Sequence, residues 1–125
     1  MVSIIGRYYA MDRDKRWERT AEAYRLFTRG EGILSSDLIS SLEQSYRDGV
    51  TDEFVKATIL KEAAEAGHFI HPDDAVLCFN FRTDRLRQLT EVLTQQPHPD
   101  HAMSTLPLYY LTMTRYDDSY TGVRV

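Results

Sequence analysis

Hydrophobic positions recur at helical spacing through Trp17, Ala21, Tyr24 and Phe27, with polar residues between them, which predicts an amphipathic helix from about Asp14 to Arg29. Gly30 and Gly32 follow and supply its stop. A second stripe, Leu38, Leu42 and Tyr46, predicts a helix from about Ser36 to Arg47, with Ser35 or Ser36 as cap and Gly49 beyond its end. A third, Leu86, Leu89 and Leu93, predicts a helix that opens at Arg82-Thr83-Asp84-Arg85, with Thr83 or Asp84 as cap, and runs to about Gln95.

Between these stripes lie short apolar runs. Val2-Ser3-Ile4-Ile5, stopped at Gly6-Arg7, reads as a strand cut out of something longer. Ala75 to Phe81, delivered by the turn-rich stretch from Gly67 to Asp74, reads as a central buried strand. Leu108 to Arg115 reads as a last strand, after a loop holding Pro97, Pro99 and Pro107. Phe54 to Ile59 alternates loosely and predicts a short strand or extended segment. Strands alternating with helices predict an α/β protein, a sheet covered by helices.

Composition narrows the function classes. At 125 residues the chain fits one domain with a real core, and 42% hydrophobic with 27% charged residues is ordinary for a folded, water-soluble body. A net charge of −4 argues against non-specific nucleic-acid binding, and the dense charge run from Asp12 to Arg19 mixes both signs. The single cysteine, Cys78, lies inside an apolar run and reads as a small buried hydrophobe suited to a reducing compartment. No stretch approaches the roughly 18 apolar residues of a membrane span, and the first residues lack a signal-peptide pattern, so the expectation is a cytoplasmic protein without membrane contact.

In open α/β sheets, ligands gather beyond the carboxyl ends of strands. Arg7 follows the first strand and Arg13 precedes the first helix; Arg82 follows the strand ending at Phe81, and Arg85 stands in the first turn of the helix after it. A helix N-terminus offers free N–H groups, and arginine adds a planar fork matched to phosphate or carboxylate oxygens, so these four residues form a candidate anion site. The plainer alternative is that they pair with the neighbouring acids Asp12, Asp14 and Asp84. His68, His71, His98 and His101 lie in turn-rich segments and read as loop histidines, not as a metal site. No nucleophile elbow or glycine-rich phosphate loop is present, so spacing alone argues binding and not catalysis.

The stretch Ile4-Ile5-Gly6-Arg7-Tyr8-Tyr9-Ala10-Met11-Asp12-Arg13-Asp14-Lys15-Arg16-Trp17-Glu18-Arg19 closely resembles a signature of the cofactor-independent phosphoglycerate mutases. The likeness continues through Gly49 to Val55, then Asp74-Ala75-Val76 with Phe79-Asn80-Phe81-Arg82-Thr83-Asp84-Arg85, and finally Met113-Thr114-Arg115-Tyr116-Asp117. The resemblance implies a two-domain isomerase of glycolysis and gluconeogenesis. One domain carries two manganese ions and a transiently phosphorylated serine, and the other holds the glycerate. Residues 1–125 resemble the later part of the second, a single partial substrate-binding domain with a three-layer α/β/α body and a mixed sheet.

The family's substrate-contacting arginines map onto Arg7, Arg13, Arg82 and Arg85, with Thr83 and Asp84 beside them. The ligands implied are 2-phosphoglycerate and 3-phosphoglycerate. The nucleophile and metal ligands fall outside this chain, together with an upstream histidine and an Arg-Asp pair, so the piece alone is expected to be inactive and to need the missing metal-bearing domain. Ala57 stands where the family usually has proline, and Asp73 where glycine is common. The alternative from another class is a non-catalytic anion-binding or partner-binding domain of the same fold.

Overall fold

The structure is a computed structural model that describes residues 1–125. Strand β1 (Ser3–Ile4) leads into a short helix α1 (Arg7–Ala10), then α2 (Trp17–Arg29), β2 (Ile33–Ser35), α3 (Leu38–Arg47) and a single 3-10 turn over Asp52–Phe54. Strand β3 (Thr58–Leu60), α4 (Lys61–Glu65), β4 (Ala75–Cys78) and α5 (Arg87–Thr94) follow, then a second 3-10 turn over Pro99–His101, β5 (Tyr109–Thr112) and β6 (Val123–Arg124).

The chain is α/β, as its pattern predicts, and its strands divide between two small sheets. The first, ordered β1-β3-β2, is mixed: β1 runs antiparallel to β3 and β2 parallel to it, with Ile33 opposite Thr58. The second, ordered β4-β5-β6, is parallel, with Ala75 opposite Tyr109.

Helix α2 buries Thr20, Ala21, Ala23, Tyr24 and Leu26 and ends where Gly30 takes a left-handed φ of 65°. It starts at Trp17 rather than Asp14, because residues 12 to 16 form a loop in which Lys15 has a φ of 57°. Helix α3 is capped by Asp37, whose carboxylate accepts from the Ser40 N–H at 3.1 Å. The expected caps are not used: the Ser35 hydroxyl is turned inward to Ser41 at 2.6 Å. Along α3, Leu38 is buried, Leu42 half-buried and Tyr46 exposed, so the stripe fades toward the C-terminus.

Two expectations need correction. The apolar run after Ala75 is not a central buried strand: β4 is an edge strand, β5 is central, and Leu77 and Phe79 are 60% and 77% exposed. Helix α5 begins at Arg87, not Arg82, with Leu86 at its cap position and no capping side chain. Neither Thr83 nor Asp84 caps it; residues 83 to 85 form a turn, and the Asp84 carboxylate is taken by arginines.

Nine buried residues form the main core: Ala21 and Tyr24 of α2, Leu89, Val92 and Leu93 of α5, and Cys78, Met103, Tyr110 and Tyr116. The Cys78 thiol lies 2.9 Å from the Tyr110 hydroxyl, and burial pushes the thiol pKa up. A smaller cluster of Leu26, Ile59 and Ala63 packs the mixed sheet. Between β1 and β4 runs an apolar trough of about 450 Å³ lined by Ile4, Ile5, Phe27, Ile70 and Val76 among others.

Candidate functional site

The first arginine is positioned by a glycine. A Cβ on Gly6 would lie 2.2 Å from the Glu53 carbonyl oxygen and 2.8 Å from the Val55 nitrogen, so only glycine lets the end of β1 press against the 3-10 turn. The Gly6 N–H donates to the Val55 carbonyl at 2.7 Å. Arg7 thereby emerges beside that turn and donates to Glu53 at 3.2 Å. It also lines an open recess of about 520 Å³ with Thr51, Asp52, Glu53 and Phe54.

Arg82 is held through its backbone. Its N–H donates to the Asn80 side-chain oxygen at 2.8 Å, while the Tyr116 hydroxyl donates to the Asn80 carbonyl at 2.7 Å and the Thr114 hydroxyl to the Phe81 carbonyl at 2.9 Å. The sequence blocks around Phe79–Arg85 and Met113–Asp117 are therefore one structural unit, the second bracing the loop that carries Arg82.

The two arginine-bearing segments meet at Asp84. Arg82 grips its carboxylate with two hydrogen bonds, at 2.6 and 3.2 Å, and Arg13 adds a third from the other segment at 2.9 Å. Arg82 first, and Arg13 second, hold the Asp84 carboxyl well below the usual carboxylate range. Arg85 donates to the backbone carbonyl of Met11 at 3.1 Å, two residues before Arg13 in the chain. Thr83 is exposed on the turn between the two arginines.

Arg13, Arg82 and Arg85 thus converge at one place. Arg7 stands one short helix away, since α1 separates it from Met11, and its guanidinium turns to Glu53 rather than to Asp84. Three of the four guanidinium groups meet two carboxylates, Glu53 and Asp84, and Arg85 meets a backbone carbonyl, which leaves an excess of positive charge among these residues. The plainer alternative from sequence is also met for two of the four, since Arg13 and Arg82 both pair with Asp84; Asp14 and Asp12 are taken instead by Arg16 at 3.3 Å and Arg19 at 3.6 Å.

The sequence pattern did not single out Glu53 as the partner of Arg7, or Asp12 and Gln88, which are buried at 5% and 6% exposure behind Arg13. Only an acid inside an arginine-rich block hinted at Asp12. The histidines are engaged locally: His98 meets Glu91 at 3.1 Å and packs on Trp17, and His71 bonds the Gly67 carbonyl at 2.8 Å.

Residues 1–118 match the family described as BPG-independent PGAM N-terminus. A 2,3-bisphosphoglycerate-independent phosphoglycerate mutase of Parabacteroides distasonis is 49% identical over 126 residues, covering 100% of this chain and 25% of that protein. The protein of the same name from Clostridium tetani is 41% identical over 125 residues, again over 100% of this chain and 24% of the relative. A crystal structure of Leishmania mexicana phosphoglycerate mutase at low cobalt concentration aligns with a TM-score of 0.79 and 27% identity, over 94% of this chain and 22% of that one. The chain spans about a quarter of the length of the curated relatives it matches.

Proposed function

The chain belongs to the BPG-independent phosphoglycerate mutase N-terminal family, and on that premise we propose that it is the anion-gripping part of an isomerase that interconverts 2-phosphoglycerate and 3-phosphoglycerate. Residues 1–125 then form part of a substrate-binding domain in a cytoplasmic enzyme, and a separate domain with a serine nucleophile and two manganese ions performs the phosphoryl transfer. No three His, Cys, Asp or Glu side chains of this chain converge to hold a metal ion. The two ions find no such ligand set here, and the reading assigns this chain binding and orientation.

The observation that carries the reading is the meeting of Arg13 and Arg82 on the single carboxylate of Asp84, 71 positions from Arg13. A carboxylate between two guanidinium forks occupies the kind of position an anionic ligand takes, so an incoming phosphate or carboxylate finds donors already aimed. Arg85 and Arg7 extend the same positive rim, with Thr83 and Asp84 bordering it. A guanidinium stays protonated throughout, so these residues neutralise and orient the acid without exchanging protons with it.

The test is Arg82→Ala in the full-length enzyme that carries these residues. A charge-assisted contact of this kind contributes about 1.5–3 kcal/mol, so kcat/KM is expected to fall about tenfold to a hundredfold or more. Unchanged kinetics would remove Arg82 from the site. The 125-residue chain by itself is expected to show no mutase turnover with 3-phosphoglycerate and manganese, and turnover by pure material would overturn the division of labour.

A further inference from the structure

Behind the arginines lies a buried polar network that the proposed clamp does not itself use. Oδ2 of Asp12 accepts hydrogen bonds from the backbone N–H groups of Asp14 at 3.2 Å and Arg16 at 2.9 Å, and from the Gln88 side-chain amide at 3.0 Å. Its other oxygen lies 3.6 Å from the Arg19 guanidinium, which stacks over the Tyr8 ring at 3.7 Å. Gln88, in the first turn of α5, answers with its carbonyl oxygen, which accepts from the Lys15 backbone N–H at 2.7 Å; its amide also donates to the Thr20 hydroxyl at 2.9 Å.

The enclosed loop is one that would not hold this shape unaided. Lys15 sits at a φ of 57°, a left-handed conformation disfavoured for a residue with a side chain by about 1–2 kcal/mol. A buried carboxylate is tolerated only when its oxygens are satisfied, and here no buried side-chain nitrogen or oxygen lacks a partner. Gln88 suits this place because one end donates to Asp12 and the other accepts from Lys15; a second carboxylate there would repel Asp12. Arg13 lies within the loop that is pinned in this way, directly after Asp12, and its guanidinium reaches Asp84 from there.

We infer that Asp12 and Gln88 are positioning residues for the anion clamp: by locking residues 12 to 16 onto the start of α5, they aim Arg13 at the Arg82–Asp84 pair before any ligand arrives. The inference rests on the proposed function for its kinetic consequence. Its structural content, that Arg13 is aimed by Gln88 across the fold, stands separately.

The test uses the full-length enzyme with Asp12→Ala and Gln88→Ala, each alone and combined with Arg13→Ala, reading KM for 3-phosphoglycerate, kcat and thermal midpoint. A misaimed binding group of this kind is expected to raise KM about tenfold with a much smaller change in kcat. On the Arg13→Ala background neither substitution should raise KM further, because both act through Arg13. Asp12→Asn should recover part of the loss, since its carbonyl oxygen can accept from the same three N–H groups while its amide takes the place of the oxygen that faces Arg19. A lowered midpoint with KM unchanged, effects that add to Arg13→Ala, or unfolding of both alanine variants at assay temperature would overturn the inference and make the network merely structural. If Arg13→Ala and Arg82→Ala themselves leave the kinetics unchanged, the proposed function fails instead. The inference is then judged by the Arg13 guanidinium NMR signal, which is expected to move toward that of free arginine in Gln88→Ala and overturns the inference if it stays in place.

Discussion

The two sheets of this chain share one helix and differ in how well they are covered. The parallel sheet closes over nine buried residues, whereas the mixed sheet has three. Helix α2 serves both, giving Ala21 and Tyr24 to the larger cluster and Leu26 to the smaller, with Phe27 packed against each. On the mixed sheet Ile33 and Leu34 of β2 are 56% and 57% exposed. The parallel sheet exposes Leu77 and Tyr109 to a similar degree and also packs on α2, so the halves differ in the number of buried residues beneath them and not in the exposure of their edges. The arginine rim straddles their join: Arg7 comes from the mixed half, Arg82 and Arg85 from the parallel half, and Arg13 from the loop between. Site geometry depends on the seam as much as on either half.

The largest expected effect tests the packing contrast itself. Leu93→Ala, in the larger core, is expected to destabilise the chain by about 4 kcal/mol, and Ile59→Ala, equally buried but in the three-residue cluster, by about 2 kcal/mol, because fewer buried neighbours are left around the cavity. Urea unfolding of the two variants beside the parent measures both. Equal losses would abolish the distinction between the halves.

Much of this organisation could be read from the sequence, and the parts that could not share a cause. The stripe Trp17, Ala21, Tyr24 and Phe27 announces α2 because helical periodicity is local, and Gly30 stops it by the backbone conformation it adopts. The place of Arg7 just after the first strand was legible too, whereas Arg82 does not directly follow a strand: β4 ends at Cys78 and not at Phe81, and Arg82 stands on the loop beyond it. Helix α1 was not legible, since Arg7–Ala10 is too short to show a period and is fastened from elsewhere, by Arg19 over Tyr8 and by Phe54 at 5.1 Å from the Tyr8 ring. The run through Leu77 and Phe79 reads as buried because composition cannot tell an edge strand from a central one. Asp12 and Gln88 are 76 positions apart, and nothing in either neighbourhood points to the other. Asp73 has a φ of 70°, a conformation that glycine adopts freely, which gives a physical reason for the glycine that the resemblance leads one to expect there.

A smaller effect probes the mixed half at the site. Gly6→Ala would drive a methyl into the Glu53 carbonyl at 2.2 Å, and the atoms it meets are all backbone of residues 53 to 55, with no flexible side chain to yield. Overpacking of this kind is expected to destabilise by about 1–3 kcal/mol and to move Arg7 off Glu53. A variant as stable as the parent would mean that β1 and the 3-10 turn are not firmly apposed. The parallel half should resist in a different way: Cys78 lines the apolar trough but is only 8% exposed and its thiol pKa is raised by burial, so it should react with a thiol reagent far more slowly in the folded chain than in the unfolded one. Prompt reaction under native conditions would show that the larger core opens locally.

The smallest effect falls on the seam, where Asp84 holds Arg82 of the parallel half and Arg13 of the connecting loop. Its carboxyl is depressed by Arg82 first and Arg13 second, so the ionised form is favoured in the folded chain. The sign of the pH dependence follows. A carboxyl depressed on folding contributes its stabilisation above the ordinary aspartate pKa of about 3.9, and that contribution is lost as pH falls from there through the folded value. The Asp84 carboxyl carbon, followed by NMR, should still report an ionised group at about pH 3, where an ordinary aspartate is largely protonated. Arg82→Ala should return its titration most of the way to the ordinary range, and Arg13→Ala less, because Arg82 supplies two of the three hydrogen bonds. Titration of Asp84 in the ordinary range would mean that the seam is open in solution, with Arg13 and Arg82 no longer held on one carboxylate.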